Sequence, residues 1–271
     1  MRRCFLKYNK LVKIFMFTFL LSTFFLKLCF SAVFLDDVIK YTIKDSKYVF
    51  TSKNLLWFSI GCGISYAMIP TGIDSAVQDF FRREPYTDYV HTYGAHLGSY
   101  GHLVFGLGLY SYGEVAHNKK LIYTAEKLYE ALLINGVLTF VFKNAIGRLG
   151  PAIGGPADFE PLPYVYDWLS QRTVWPSGHT SSMFAGATVL SRIYDDKVWV
   201  KYVSYTLALF VAASQIDRNV HWFSDCIGGA FLGYLVGKSV VRKDEQIAKT
   251  NFLVLPIQDR DYVGVKTILL F

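Results

Sequence analysis

The sequence predicts an all-α protein: a bundle of about six helices with its chemically active residues at helix ends. An N-terminal signal or anchor helix precedes the bundle, and a short C-terminal β-hairpin follows it. Three observations lead there. Apolar segments of helical length recur along the chain, no internal repeat or low-complexity stretch interrupts them, and polar clusters stand where those segments begin or end. With 271 residues the chain is long enough to bury one full-sized core. A composition that is 52% hydrophobic and only 18% charged excludes a disordered chain.

The elements follow in order. Arg2, Arg3, Lys7, Lys10 and Lys13 precede an apolar run over residues 14–26, and small residues Ser31 and Ala32 follow it. Residues 1–32 therefore carry the pattern of an export signal, with an uncleaved anchor as the alternative because bulky Phe30 stands near the cleavage point. These leader charges, with Lys27 and no acid among them, account for most of the formal net charge of +7. The remainder is close to neutral, so a basic nucleic-acid-binding face is not supported.

Residues 33–245 form the expected helical domain. Its apolar segments cover residues 54–73, 97–113, 121–142, 177–194, 198–214 and 222–241. Only 54–73 offers about 20 uncharged residues, the length a membrane-spanning helix requires. In 121–142, Leu128, Leu132, Leu133 and Val137 recur near helical spacing, which predicts an inward face there and places Lys127 and Glu130 toward the polar side. Residues 150–176 hold five prolines and Gly154-Gly155, the composition of a long irregular loop. Residues 246–271 contain two β-prone runs and read as a hairpin. Of four cysteines, Cys4 and Cys29 lie in the leader; Cys62 and Cys226 sit in apolar segments without metal-ligand spacing and are expected as small buried hydrophobes. His91, His96, His102 and His117 stand in no such pattern and receive no role.

Three polar clusters carry the chemistry. Residues 143–151 (KNAIGRLGP) close a helix, residues 175–182 (WPSGHTSS) open one, and residues 214–225 (SQIDRNVHWFSD) bridge two. Pro176, Ser177 and Gly178 at a helix start leave backbone N–H groups free to cradle an anion beside His179. His221 and Asp225, four residues apart, share a helix face, so the carboxylate can hold one ring nitrogen and leave the other to attack. Lys143 and an arginine would neutralise phosphoryl oxygens.

Together these clusters resemble the type 2 phosphatidic acid phosphatase superfamily, which also contains class A acid phosphatases and vanadium haloperoxidases. That family's pattern is K-x6-R-P, then P-S-G-H, then S-R-x5-H-x3-D. This chain has Lys143-x6-Gly150-Pro151, Pro176-Ser177-Gly178-His179 and Ser214-Gln215-x5-His221-x3-Asp225, and the resemblance spans about residues 95–240. It implies a phosphohistidine mechanism with His221 as nucleophile, Asp225 as its orienting partner and His179 as general acid. Lys143, Ser177 and the Gly178 N–H would bind phosphate, with no metal or cofactor. Two family arginines fall on Gly150 and Gln215, and Arg148 and Arg218 are the expected replacements. The implied activity is hydrolysis of a phosphomonoester or pyrophosphate, chiefly of a lipid such as phosphatidate, phosphatidylglycerophosphate or a polyprenyl diphosphate. The implied setting is an exported, membrane-associated protein, either integral or periplasmic. A silent protein that binds phospholipid headgroups and a vanadate-dependent haloperoxidase are the alternatives.

Overall fold

A computed structural model describes residues 32–83, 87–161 and 173–242, together with the backbone of two strands in the tail. The leader, residues 1–31, and loop residues 162–172 lie outside the described residues. Helices α1 (Ala32–Val49), α2 (Ser52–Met68), α3 (Ile73–Arg83), α4 (Thr87–His96), α5 (His102–Val115), α6 (Lys119–Ile146), α7 (Gly178–Ile193), α8 (Val198–Asp217) and α9 (Phe223–Val240) follow one another. Strands β1 (Leu253–Asp259) and β2 (Tyr262–Ile268) pair antiparallel, Leu253 opposite Ile268. The all-α class holds, but the described residues contain more than six helices, because the charged α1 and α3 and the short polar α4 do not stand out as apolar segments.

Local signals explain the elements that matter most. At the start of α6 the Asn118 side chain accepts hydrogen bonds from the N–H groups of Lys120 and Leu121 at 3.1 and 3.2 Å. The helix stops at Gly147, whose φ of +63° is left-handed and whose N–H donates to Lys143 O. A Cβ on Gly147 would collide with the Glu160 carbonyl, so only glycine fits this stop, and Lys143 is delivered in the last turn.

The core lies where α6, α7 and α9 meet, built from Leu128, Ala131, Ile134, Ala185, Val189, Leu232 and Val236. α9 crosses α7 closely enough that a Cβ on Gly229 or Gly233 would overlap the Ser177 or Ser181 carbonyl. The two N-terminal ends are tied directly, since Ser177 N–H donates to Asp225 O at 3.0 Å.

Two expectations need correction. Residues 54–73 are not one continuous helix: α2 stops at Met68, a 3-10 turn follows, and Gly72 at φ +75° starts a bend of 72° into α3. Among the described residues no single helix is long and apolar enough to cross a membrane; this bent pair passes that test only together. The faces expected of α6 hold only in part: Leu128 is buried as expected, but Leu133 and Val137 are 48% and 64% exposed, whereas Lys127 and Glu130 are 3% and 1% exposed. The Lys127 ammonium is held at 3.1 Å from Asp45 of α1 and 2.7 Å from Glu130, so the polar face is the one that buries. Cys62 and Cys226 are both free thiols, Cys226 buried and Cys62 partly so.

Candidate active site

A cavity of about 620 Å³ opens where the ends of α6, α7 and α8 and the turn into α9 converge. Lys143, Gly178, His179, Gln215, Arg218 and His221 all line it. Lys143, His179 and His221, one from each cluster and at least 36 positions apart in the sequence, thus meet at one cavity.

His221 sits in the short turn between α8 and α9, almost wholly buried. Its Nδ1 lies 3.6 Å from Asp225 Oδ2, and that same oxygen accepts the Trp222 N–H at 2.8 Å. The carboxylate is therefore both a cap for α9 and a partner for the imidazole. Burial pushes the His221 pKa down, assisted by the Lys143 charge and countered by Asp225, so the ring is neutral at pH 7. A neutral ring whose Nδ1 side faces a carboxylate has Nε2 as its nucleophilic nitrogen.

His179 opens α7, and its Nε2 is 3.0 Å from Ser99 Oγ. Burial, then the neighbouring His221, Arg218, Lys143 and His102, lower its pKa to about 4. Lys143 donates to Thr173 O at 2.9 Å, and burial lowers its pKa to about 8 against the opposing pull of Asp225. Arg218 occupies the C-cap of α8 and lines the cavity.

Two expected phosphate ligands are elsewhere. Arg148 does not reach the cavity: it is fully buried, with Nη1 2.5 Å from Asp225 Oδ1, Nη2 2.7 Å from Asp74 Oδ2, and Nε donating to Pro156 O at 2.9 Å. Two carboxylates and a carbonyl hold the guanidinium more strongly than an open pocket would. Ser177 is also buried behind the cavity wall, its hydroxyl 2.9 Å from Thr180 Oγ1, so Gly178 alone of this pair lines the site. Position 150 has no room for an arginine without rearrangement, since even a Cβ there would come within 2.9 Å of Val174 Cγ1. Gln215 is buried at the cavity edge, donating from Nε2 to Ser214 Oγ at 3.2 Å.

Ser99 and His102 are site residues that motif reading missed. They project from the π-helical turn 97–101 and the start of α5, outside all three clusters, and only their three-residue spacing hinted at a shared face. Asp74, on α3, is the other omission: it accepts from Ser224 N–H at 2.8 Å and from Ser224 Oγ at 2.6 Å, behind Asp225. Among the described residues no group of three or more His, Cys, Asp or Glu side chains converges as a metal site.

A helical bundle whose helix ends gather a His–Asp pair, a second histidine and two cations around one cavity defines a protein built to handle an oxyanion. Comparison agrees: residues 126–247 match the model of the PAP2 superfamily. It is 43% identical over 65 residues to the lipid A 1-phosphatase of Porphyromonas gingivalis, an alignment covering 24% of this chain and 15% of that protein. It is 24% identical over 204 residues to a probable diacylglycerol pyrophosphate phosphatase 1 of Schizosaccharomyces pombe, covering 65% of this chain and 73% of the relative. The crystal structure of a transmembrane PAP2 type phosphatidylglycerolphosphate phosphatase from Bacillus subtilis is similar with a TM-score of 0.45 at 20% identity, covering 78% of this chain and 95% of that one.

Proposed function

We propose that the protein is a membrane-associated lipid phosphate phosphatase that hydrolyses a phosphomonoester or pyrophosphate through a phosphohistidine. The observation that carries this reading is the convergence of His221–Asp225, His179, Lys143 and Arg218 on one cavity. His221 Nε2 attacks phosphorus while the bond to the leaving oxygen breaks, and His179 supplies the proton that this oxygen takes up. Water then attacks the phosphohistidine, giving up a proton to His179, and free phosphate leaves. Lys143, Arg218 and the Gly178 N–H balance the charge on the equatorial oxygens throughout. Asp225 keeps the proton on His221 Nδ1 in both steps.

A lipid is favoured over a soluble ester by a second cavity of about 480 Å³ that shares His102 and Ser182 with the first. Leu97, Phe105, Leu109, Met183, Leu190 and Trp199 line it, a surface suited to an acyl or prenyl chain whose phosphate lies next door. The PAP2 relatives named as lipid phosphatases support the same class.

The test is phosphate release from phosphatidate, phosphatidylglycerophosphate and a polyprenyl diphosphate in mixed micelles, with wild type beside His221→Ala. The substitution should abolish release and the acid-labile phosphoprotein trapped on quenching. Unchanged release from the variant would overturn the assignment. Headgroup binding without release from any substrate would instead favour a silent binding protein.

A further inference from the structure

Behind the His221–Asp225 pair lie two buried charged residues, Arg148 and Asp74, that the proposed reaction does not use. Arg148 Nη1 contacts Asp225 Oδ1 at 2.5 Å and Ser224 Oγ at 2.6 Å; Nη2 contacts Asp74 Oδ2 at 2.7 Å. Asp74 in turn holds the backbone N–H and hydroxyl of Ser224, the residue next to Asp225. All three charged side chains are completely removed from solvent. An arginine fork bound by two carboxylates has little freedom left, and neither does the carboxylate plane it grips.

We propose that Arg148 and Asp74 are positioning residues for the nucleophile. Arg148 sets the rotation of the Asp225 carboxylate so that Oδ2 faces His221 Nδ1, and Asp74 neutralises Arg148 so that Asp225 keeps its pull on the imidazole proton. The inference rests on the reading of His221 as the reacting group. Neither residue touches substrate; both act through Asp225. The two charges have opposite effects on His221. Losing Asp74 leaves an uncompensated cation beside Asp225 and disfavours the imidazolium; losing Arg148 leaves two carboxylates and favours it. Among the described residues, the other charged and titratable groups around His221 are Lys143 of α6, His179 of α7, Arg218 at the end of α8 and His102 of α5, and both substitutions leave these in place.

Two measurements on the detergent-solubilised full chain test this. The first is an NMR titration of histidine ring nitrogens, with His221 assigned by its absence in His221→Ala; six histidines make the spectrum tractable. Asp74→Asn should lower the His221 pKa and Arg148→Gln should raise it, each by about one pH unit. The second is the pH profile of kcat/KM, whose acid limb should move in the same opposite directions, with kcat falling by about 10²-fold and KM changing little. Should either single variant lose its cooperative melt, the double variant Asp74→Asn/Arg148→Gln removes both buried charges at once. It should restore the His221 pKa to within a few tenths of wild type while kcat stays low. Folded variants with an unshifted His221 would overturn the proposal, and so would variants, the double one included, whose kcat stays at the wild-type value. The titration reads the ring directly, so a wild type without phosphatase activity would count against the function and leave this test intact.

Discussion

Each cation and imidazole in the cavity is set by its neighbours, and that gives two predictions. Burial and four surrounding groups hold the His179 pKa near 4, so the ring is neutral at pH 7. A phosphate dianion beside it would offset that repulsion, so binding should draw a proton onto the ring proposed as the general acid. Calorimetric titration with inorganic phosphate at pH 7, in buffers of differing ionisation enthalpy, should show proton uptake that disappears in His179→Gln. Lys143 is the second case. With its pKa lowered to about 8, it is charged below that value and loses its proton as the pH rises through it. KM should therefore climb above about pH 8 in wild type and stay level in Lys143→Arg, whose guanidinium remains charged there. The sequence marks most of these residues as three polar clusters at helix ends, and the family resemblance supplies the roles expected of them. Arg148 was misassigned for a physical reason: a motif records that a cation is near, and only the fold reveals that Asp74 and Asp225 have claimed it.

Helices pack here by two different rules, and the sequence distinguishes them poorly. On α9, glycines at the α7 crossing let backbone meet backbone. Gly233→Ala should cost about 1–3 kcal/mol by overpacking and lower the melting temperature. Gly136, on the exposed face of α6 with nothing within 4 Å of its would-be Cβ, is the contrasting site. Gly136→Ala should stabilise by about 0.5–1 kcal/mol through helix propensity, and thermal melts of the two variants should move in opposite directions. The inward and outward faces of α6 and α3 were harder to foresee. Periodicity finds a stripe of apolar residues but assumes water outside it. In α3 the buried residues are Asp74 and Gln78, while Phe80 is exposed; Gln78 donates to Ile216 O at 3.0 Å and Asp74 serves Ser224. These inward polar groups fasten α3 to the turn that carries His221, a task no hydrophobic pattern announces.

The molecule as a whole wears much of its apolar surface outside. Leu55, Leu56, Trp57, Ile60 and Ile64 of α2, Val104 and Phe105 of α5, Phe140 and Val141 of α6 and Trp199 and Val203 of α8 are all exposed. Patches of this extent on several helices mark a surface that meets lipid or another apolar partner. Association with vesicles of neutral phosphatidylcholine should therefore survive 1 M salt in a flotation assay. Release at high salt would point instead to charge, and to the basic leader as its source.

Asp74 precedes the segment shared with the PAP2 superfamily, which begins at residue 126. The motifs are consequently not portable by themselves. A chimera that transplants residues 126–247 into a relative's N-terminal half inherits His221, Asp225 and Arg148 but not Asp74, and on the positioning proposal its activity should depend on a carboxylate at the head of the host's α3.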